Sequence, residues 1–201
     1  MILLTEIQYN PPIAYFRQAL LADELLLEKN ENYIKQSYRN RCHILTAQGM
    51  QPLSIPVLKG NSKDKTLITD IEIDYSQKWD KIHWRTIQAA YGRAPYFEFY
   101  SDYIKDIYDR QPKYLFDLNV ELLKLYLKFL KLPKPVKFTD LYQETITGNV
   151  LDLRNRIHPK IIPDNLHVKT YTQVFGKQFV PDISIIDLLF TQGPASLSYI
   201  Q

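Results

Sequence analysis

The chain holds one cysteine, Cys42, in 201 residues. That excludes an internal disulfide and a cysteine-rich metal site, and suits a reducing compartment. Glycine is scarce at six residues, and none stands in a GxGxxG, GxxxxGK or GxSxG arrangement. The glycine loops that cradle phosphates and the strained nucleophile elbow are therefore missing. The histidines His43, His83, His158 and His167 lie far apart, and neither HxxxH nor HExxH occurs, so no metal site is expected. No apolar run is long enough to span a bilayer. The start, MILLTEIQYN, has no basic region and reaches Glu6 early, so it does not read as a signal peptide. Charge is never concentrated in one sign: 25 Lys and Arg stand against 22 Asp and Glu, for a net +3. Without a basic stripe, nucleic acid is not an expected partner.

What is present reads as one α/β domain over residues 1–201, with an irregular, insertion-like segment at about 139–166. At 45% hydrophobic residues, a chain of this length can bury a core without staples. The expected architecture has a mixed sheet, an N-terminal βαβ unit, a β-hairpin and a C-terminal half rich in helices. Ile2 to Ile7 reads as a buried strand, Ile13 to Leu21 as a short helix and Glu24 to Glu28 as a second strand. Ligands of open α/β sheets bind at the carboxyl ends of strands, which places the Gln8–Asn10 and Lys29–Asn30 loops together. Arg41 to Thr46 and Gln51 to Val57 form the hairpin, Lys59 to Lys65 a polar loop, and Leu67 to Asp74 a half-buried strand. Helices are expected over Trp79 to Tyr91, capped by Ser76, then over Tyr96 to Tyr108, Tyr114 to Lys131 and Asp182 to Phe190. Val136 to Phe138 and Val168 to Val174 read as short strands.

Two constellations carry chemistry. In the first, Tyr33, Lys35, Asn40 and Arg41 crowd hydroxyl, amide and cationic groups before a strand. An arginine there can grip phosphate or carboxylate through two parallel hydrogen bonds. In the second, His83 shares an apolar helix face with Trp79, Ile87 and Ala90, with Trp84 and Tyr91 beside it. A histidine acting as general base needs a pKa near neutrality and an orienting partner. Asp80, Glu6 and Asp23 are candidate partners. Each constellation also has a bland reading: a solvated loop for the first, a core histidine for the second.

The landmarks fall in a telling order. Tyr9-x-Pro11-x-x-x-Tyr15-Phe16 is followed by Ala22-Asp23, Tyr33-x-Lys35, Asn40-Arg41-x-x-Ile44 and Leu53-x-x-Pro56-Val57. Then come Trp79, His83-Trp84, Ala90-Tyr91 and Ala94-Pro95-Tyr96-Phe97, and near the end Phe179-x-Pro181, Ser184-Ile185-x-Asp187-Leu188-Leu189-Phe190 and Gly193-Pro194. This order resembles the WbqC-like protein family of bacteria, through Leu132 and again from about Tyr171. The resemblance implies a cytoplasmic protein connected with O-antigen and other surface polysaccharides. It also implies a transferase acting on sugars or nucleotide-sugars, through acyl or aminoacyl transfer. Carried over position by position, it highlights the following residues among others. The enzyme reading takes His83 as the catalytic base in a cleft between the first βαβ unit and the Trp79 helix, with Tyr9, Asp23, Tyr33, Lys35, Asn40, Arg41 and Tyr91 as substrate-binding candidates. The chain departs from the family at Thr5-Glu6-Ile7, where His-Gln-Pro is frequent. It departs again at Lys29-Asn30, where an acidic pair is frequent, and at 149–165, where relatives carry a glycine-rich segment. These departures support the alternative of a non-catalytic binding or scaffolding protein on the same fold. A small-molecule partner is expected on either reading.

Overall fold

The runs Ile2–Glu6 and Glu24–Glu28 carry apolar side chains on both faces, as strands covered on both sides require. In the computed structural model, which describes residues 1–58, 65–160 and 169–201, they form β1 (Ile2–Glu6) and β2 (Glu24–Glu28). The two are parallel neighbours, registered from Ile2 opposite Glu24 to Glu6 opposite Glu28. Helix α1 (Ile13–Leu21) connects them and completes the βαβ unit. Further along come β3 (Arg41–Thr46), β4 (Gly49–Ser54), β5 (Val136–Phe138) and β6 (Val150–Asp152). The parallel sheet runs β5-β2-β1-β6, while β3 and β4 pair antiparallel as a separate hairpin with Arg41 opposite Ser54. The pairings expected of a mixed sheet are thus divided between two sheets.

The later helices are α2 (Trp79–Tyr91), α3 (Phe97–Asp109), α4 (Leu115–Phe129), α5 (Ile185–Gln192) and α6 (Ser196–Ile200). Helix α5 is apolar nearly all round and buried from Ile185 through Thr191, the pattern of a helix with no wet face. It touches α1, α3, α6 and β3. Ser184 caps its start. Gly193 ends it at φ 53°, where an added Cβ would lie 2.4 Å from the Tyr96 ring, so any larger residue would displace that ring. Helix α1 begins at Pro12 without a side-chain cap of its own. Asp182 supplies the missing acceptor, taking the Ala14 N–H at 2.7 Å.

Several expectations are corrected. Leu67 to Asp74 is not a strand but a 3₁₀ turn at Ile68–Asp70 followed by single bridges from Glu72 to Tyr114 and from Ile73 to Val57. Its alternation of apolar and acidic residues mimics a strand, but among the described residues no strand lies alongside to extend the ladder. Ser76 does not cap α2. It sits in a 3₁₀ turn whose N–H is taken by Asp74, and Lys78, in the left-handed region, leads into the helix. The described part of the Val168 to Val174 segment, from Lys169 on, holds no strand. Most of the polar loop, 59–64, and residues 161–166 of the irregular segment lie outside the described residues.

At the carboxyl ends of β1 and β2, side chains fill the sheet edge. Arg39 is 1% exposed and pairs with Glu31 through Nε at 2.7 Å and Nη2 at 2.5 Å. Its carbonyl accepts from Asn119 Nδ2 at 2.7 Å on α4. Removing one partner of a buried pair leaves an uncompensated charge. Glu31→Ala is expected to lower the free energy of unfolding by about 3–5 kcal/mol, measured by urea denaturation. A loss below ~1 kcal/mol would show that the pair does not hold the 31–39 loop.

Candidate functional site

Helix α2 lays its inner face against the hairpin. Between them lies a cavity of about 450 Å³ walled by Asn40, Ser54, Ile55, Gln77, Trp79 and His83. That volume falls in the range of small-molecule sites. Asn40 holds the β4 exit from both sides: its Nδ2 donates to the Ile55 carbonyl at 2.9 Å and its own carbonyl accepts from the Ile55 N–H at 2.8 Å. These bonds fix the amide's orientation. Asn40 Oδ1 and Trp79 Nε1 are both buried and have no hydrogen-bond partner among the described residues. Both residues line the cavity, while the two atoms themselves have almost no accessible surface, so a partner from outside would have to be admitted by a shift of the wall.

His83 is buried, and its ring is set by an ordered chain of hydrogen bonds. Tyr126 donates to Asn10 Oδ1 at 2.5 Å, and Asn10 Nδ2 donates to the Tyr108 hydroxyl at 3.1 Å. Tyr108 and Tyr9 share a bond of 2.6 Å, and Tyr9 meets His83 Nδ1 at 2.8 Å. With Asn10 donating at one end, the tyrosines donate in sequence, so Nδ1 accepts and the ring proton stays on Nε2. Burial pushes the imidazole down to about 4, against weaker opposing pulls from the Ser54 carbonyl and Asp80. Burial likewise pushes the Tyr9 hydroxyl well above its ordinary range. Near neutral pH the ring is uncharged, with its acceptor nitrogen already occupied. That arrangement leaves no free proton acceptor, and with Nδ1 occupied the Ser54 carbonyl takes the Nε2–H.

The expected orienting carboxylates are all engaged elsewhere. Asp80 accepts from Gln111 at 2.8 Å, Glu6 accepts from Gln8 at 2.7 Å and from the Asn155 N–H at 2.8 Å, and Asp23 pairs with the N-terminal ammonium. Among the substrate-binding candidates, Asn40 lines the cavity. Arg41 stands one bond away, its Nε donating to Ser54 Oγ at 3.0 Å. Its other guanidinium nitrogens have no side-chain partner among the described residues. Tyr9 stands behind His83. Tyr33 is half-buried, with its hydroxyl pushed up to about 12 by burial, and Lys35 is exposed; neither lines the cavity. Asp23 is 85% exposed at the amino end of the sheet, and the ammonium beside it holds its carboxyl below the usual range. Tyr91 faces away, accepting from the Leu45 N–H at 3.1 Å.

Sequence reasoning missed Tyr108, Tyr126 and Asn10. A signal was present: Tyr108 lies four residues after Ile104, and Tyr126 four after Leu122, on stripes that spacing alone turns inward. The residues around the Lys29–Asn30 loop bond to the 139–154 segment, not to the Gln8–Asn10 loop, among the described residues. Glu28 accepts from Thr139 at 2.6 Å and from Arg154 at 3.0 Å, while Asn30 Nδ2 donates to the Thr139 carbonyl at 2.9 Å. These contacts fill the edge.

A parallel α/β sheet with a side hairpin and a cavity against α2 is the setting in which relatives can be compared. The sequence profile of the WbqC-like protein family matches residues 7–161. The chain belongs to that family. The match crosses the irregular segment up to 161 and stops before the motif at Phe179 to Pro194. The uncharacterised protein Rv1507c of Mycobacterium tuberculosis (strain ATCC 25618 / H37Rv) is 26% identical over 227 residues, covering 98% of this chain and 96% of the relative. No solved structure matches significantly. No helix among the described residues is long and apolar enough to cross a membrane.

The His83 geometry has a direct consequence for pH. The unfolded chain takes up a proton at this ring near 6.5, the folded chain only near about 4. Stability from the neutral ring is therefore complete above 6.5 and lost as pH falls toward about 4, by about 3 kcal/mol for this group. Nitrogen-15 NMR is expected to show His83 as the neutral Nε2–H tautomer at pH 6. A ring that is half protonated there would contradict the hydrogen-bond chain.

Proposed function

We propose that the chain binds a sugar or nucleotide-sugar in the cavity between the hairpin and α2. The observation that carries this reading is a cavity of small-molecule size, two of whose lining residues, Trp79 and Asn40, hold a donor and an acceptor with no partner among the described residues. A hydroxyl both accepts and donates, so one polyol can satisfy both. The neutral His83 adds no charge to the cavity wall. Arg41, at the rim beside Ser54, suits the phosphates of a nucleotide-sugar.

A second reading is acyl or aminoacyl transfer to such a sugar in bacterial surface-polysaccharide synthesis. Family membership supports it by analogy alone, and Arg41 supports it as a grip for the phosphate of an activated donor. In that reading His83 positions substrate, and the proton acceptor belongs to the substrate or to another residue. Binding without transfer, as in a scaffolding protein, is favoured by the occupied Nδ1 of His83.

Calorimetry with UDP-N-acetylglucosamine, UDP and N-acetylglucosamine tests the reading. Trp79→Phe removes one hydrogen-bond donor and is expected to weaken both sugar-bearing probes about tenfold. Arg41→Gln is expected to weaken the two UDP-bearing probes more than the free sugar. Failure of all three probes to bind, or equal binding by both variants and the parent, would overturn it. Turnover of an acyl donor that disappears in folded His83→Gln would favour the transfer reading over simple binding.

A further inference from the structure

Where α4 ends, the chain turns through Leu130 to Pro133 into β5. At this turn Lys124, Lys128 and Lys131 rim a groove of about 560 Å³ whose floor is Leu127, Leu132 and Val136. Lys134 also borders the groove, but its ammonium is committed to the fold. It donates to the Leu20 carbonyl at 3.0 Å and to the Ala22 carbonyl, closing the end of α1. The other three lysines make no ion pair or side-chain hydrogen bond among the described residues.

Large apolar side chains stand out beside them. Leu21, next to the carbonyls that Lys134 holds, is 64% exposed. Tyr103 on α3 is 55% exposed, with its ring 5.6 Å from that of Phe129, the residue after Lys128. Phe99, one turn earlier on the same helix, is 68% exposed.

We propose that this face docks on the surface of an anionic phospholipid bilayer. Unpaired cations over an apolar floor, flanked by protruding apolar groups, match the boundary between charged headgroups and acyl chains. Lysine stems can cover the apolar floor while their ammonium groups reach phosphates. A two-fold contact centred on this groove would bring the same lysines together, which like charge opposes. A nucleic acid would leave the floor and Leu21 unmatched. The docking surface is independent of the cavity and its ligand.

Sedimentation with phosphatidylcholine vesicles, with and without phosphatidylglycerol, tests the proposal on the whole chain. Binding is expected only with phosphatidylglycerol. Each lysine near such a surface contributes about fivefold, so K124Q/K128Q/K131Q is expected to weaken partitioning about a hundredfold, and K124E/K128E/K131E further still. The K124Q/K128Q/K131Q variant checks that glutamates have not unsettled α4, with circular dichroism and the thermal midpoint confirming the fold. L21S/Y103S is expected to weaken binding without altering either readout. Absence of binding to phosphatidylglycerol vesicles at low salt would overturn the proposal. So would equal binding by parent and lysine variants, or uptake of dodecyl phosphate from solution without vesicle binding. Self-association abolished by the lysine substitutions would overturn it in favour of a second copy.

Discussion

Tyr9 and Asn10, in the loop that leaves β1, tie four separate helices and strands together through buried hydrogen bonds. Asn10 reaches Tyr126 on α4, Tyr108 on α3 and Cys42 on β3, and Tyr9 reaches Tyr108 and His83 on α2. These residues, Cys42, Tyr108 and Tyr126 among them, are at most 4% exposed, so water is not at hand to replace a lost partner. A desolvated group left unpaired costs about 1–3 kcal/mol. With each of the three tyrosine hydroxyls donating once, the direction of the bonds runs on from Asn10 to His83, and the Ser54 carbonyl at the other ring nitrogen favours the same tautomer. The tautomer of His83, the seat of α2 against the hairpin and the shape of the cavity all follow from this constraint.

The parallel sheet makes a different contribution. Open α/β sheets usually receive ligands at the carboxyl ends of their strands. Here that edge is occupied by the chain itself: Glu6, Glu28 and Glu31 are matched by Asn155, Arg154 and Arg39. Each carboxylate has a directed partner, so the edge holds the 139–156 segment in place. The cavity that Asn40 and Trp79 line lies beside the hairpin, while a larger hollow of about 670 Å³ borders Lys29 and Phe138 past β2 and β5. The sheet anchors, and the cavity is left to the side hairpin and α2.

Much of this frame was legible from the residues. The βαβ unit, the hairpin and the long helices announce themselves through apolar spacing and turn residues, and Ile13–Leu21 and Trp79–Tyr91 match their expected bounds. Strand β6 was not legible, because three residues inside a polar stretch carry too little pattern; its existence depends on the open edge of β1. Leu67 to Asp74 misled for the opposite reason, since alternation alone does not supply a partner strand. At the site, the types of Asn40, Arg41 and His83 pointed to one region, and the fold brings the first and last to one cavity with Arg41 at its rim. The environment of His83 was not legible. Spacing along α2 places an imidazole on an apolar face, but only the fold reveals that Tyr9 occupies its acceptor nitrogen. Tyr91 and Asp23 are typical of ligand sites by type, yet one serves the core and the other the surface.

The function of the cavity turns on whether Trp79 and Asn40 wait for a polar ligand. The indole N–H resonance of Trp79, distinguished from that of Trp84 by a Trp84→Phe variant, reports on this directly. The expected result is a downfield shift as UDP-N-acetylglucosamine is added, saturating with the calorimetric binding curve. An indole resonance that stays still while the ligand binds would contradict it and place the binding site elsewhere.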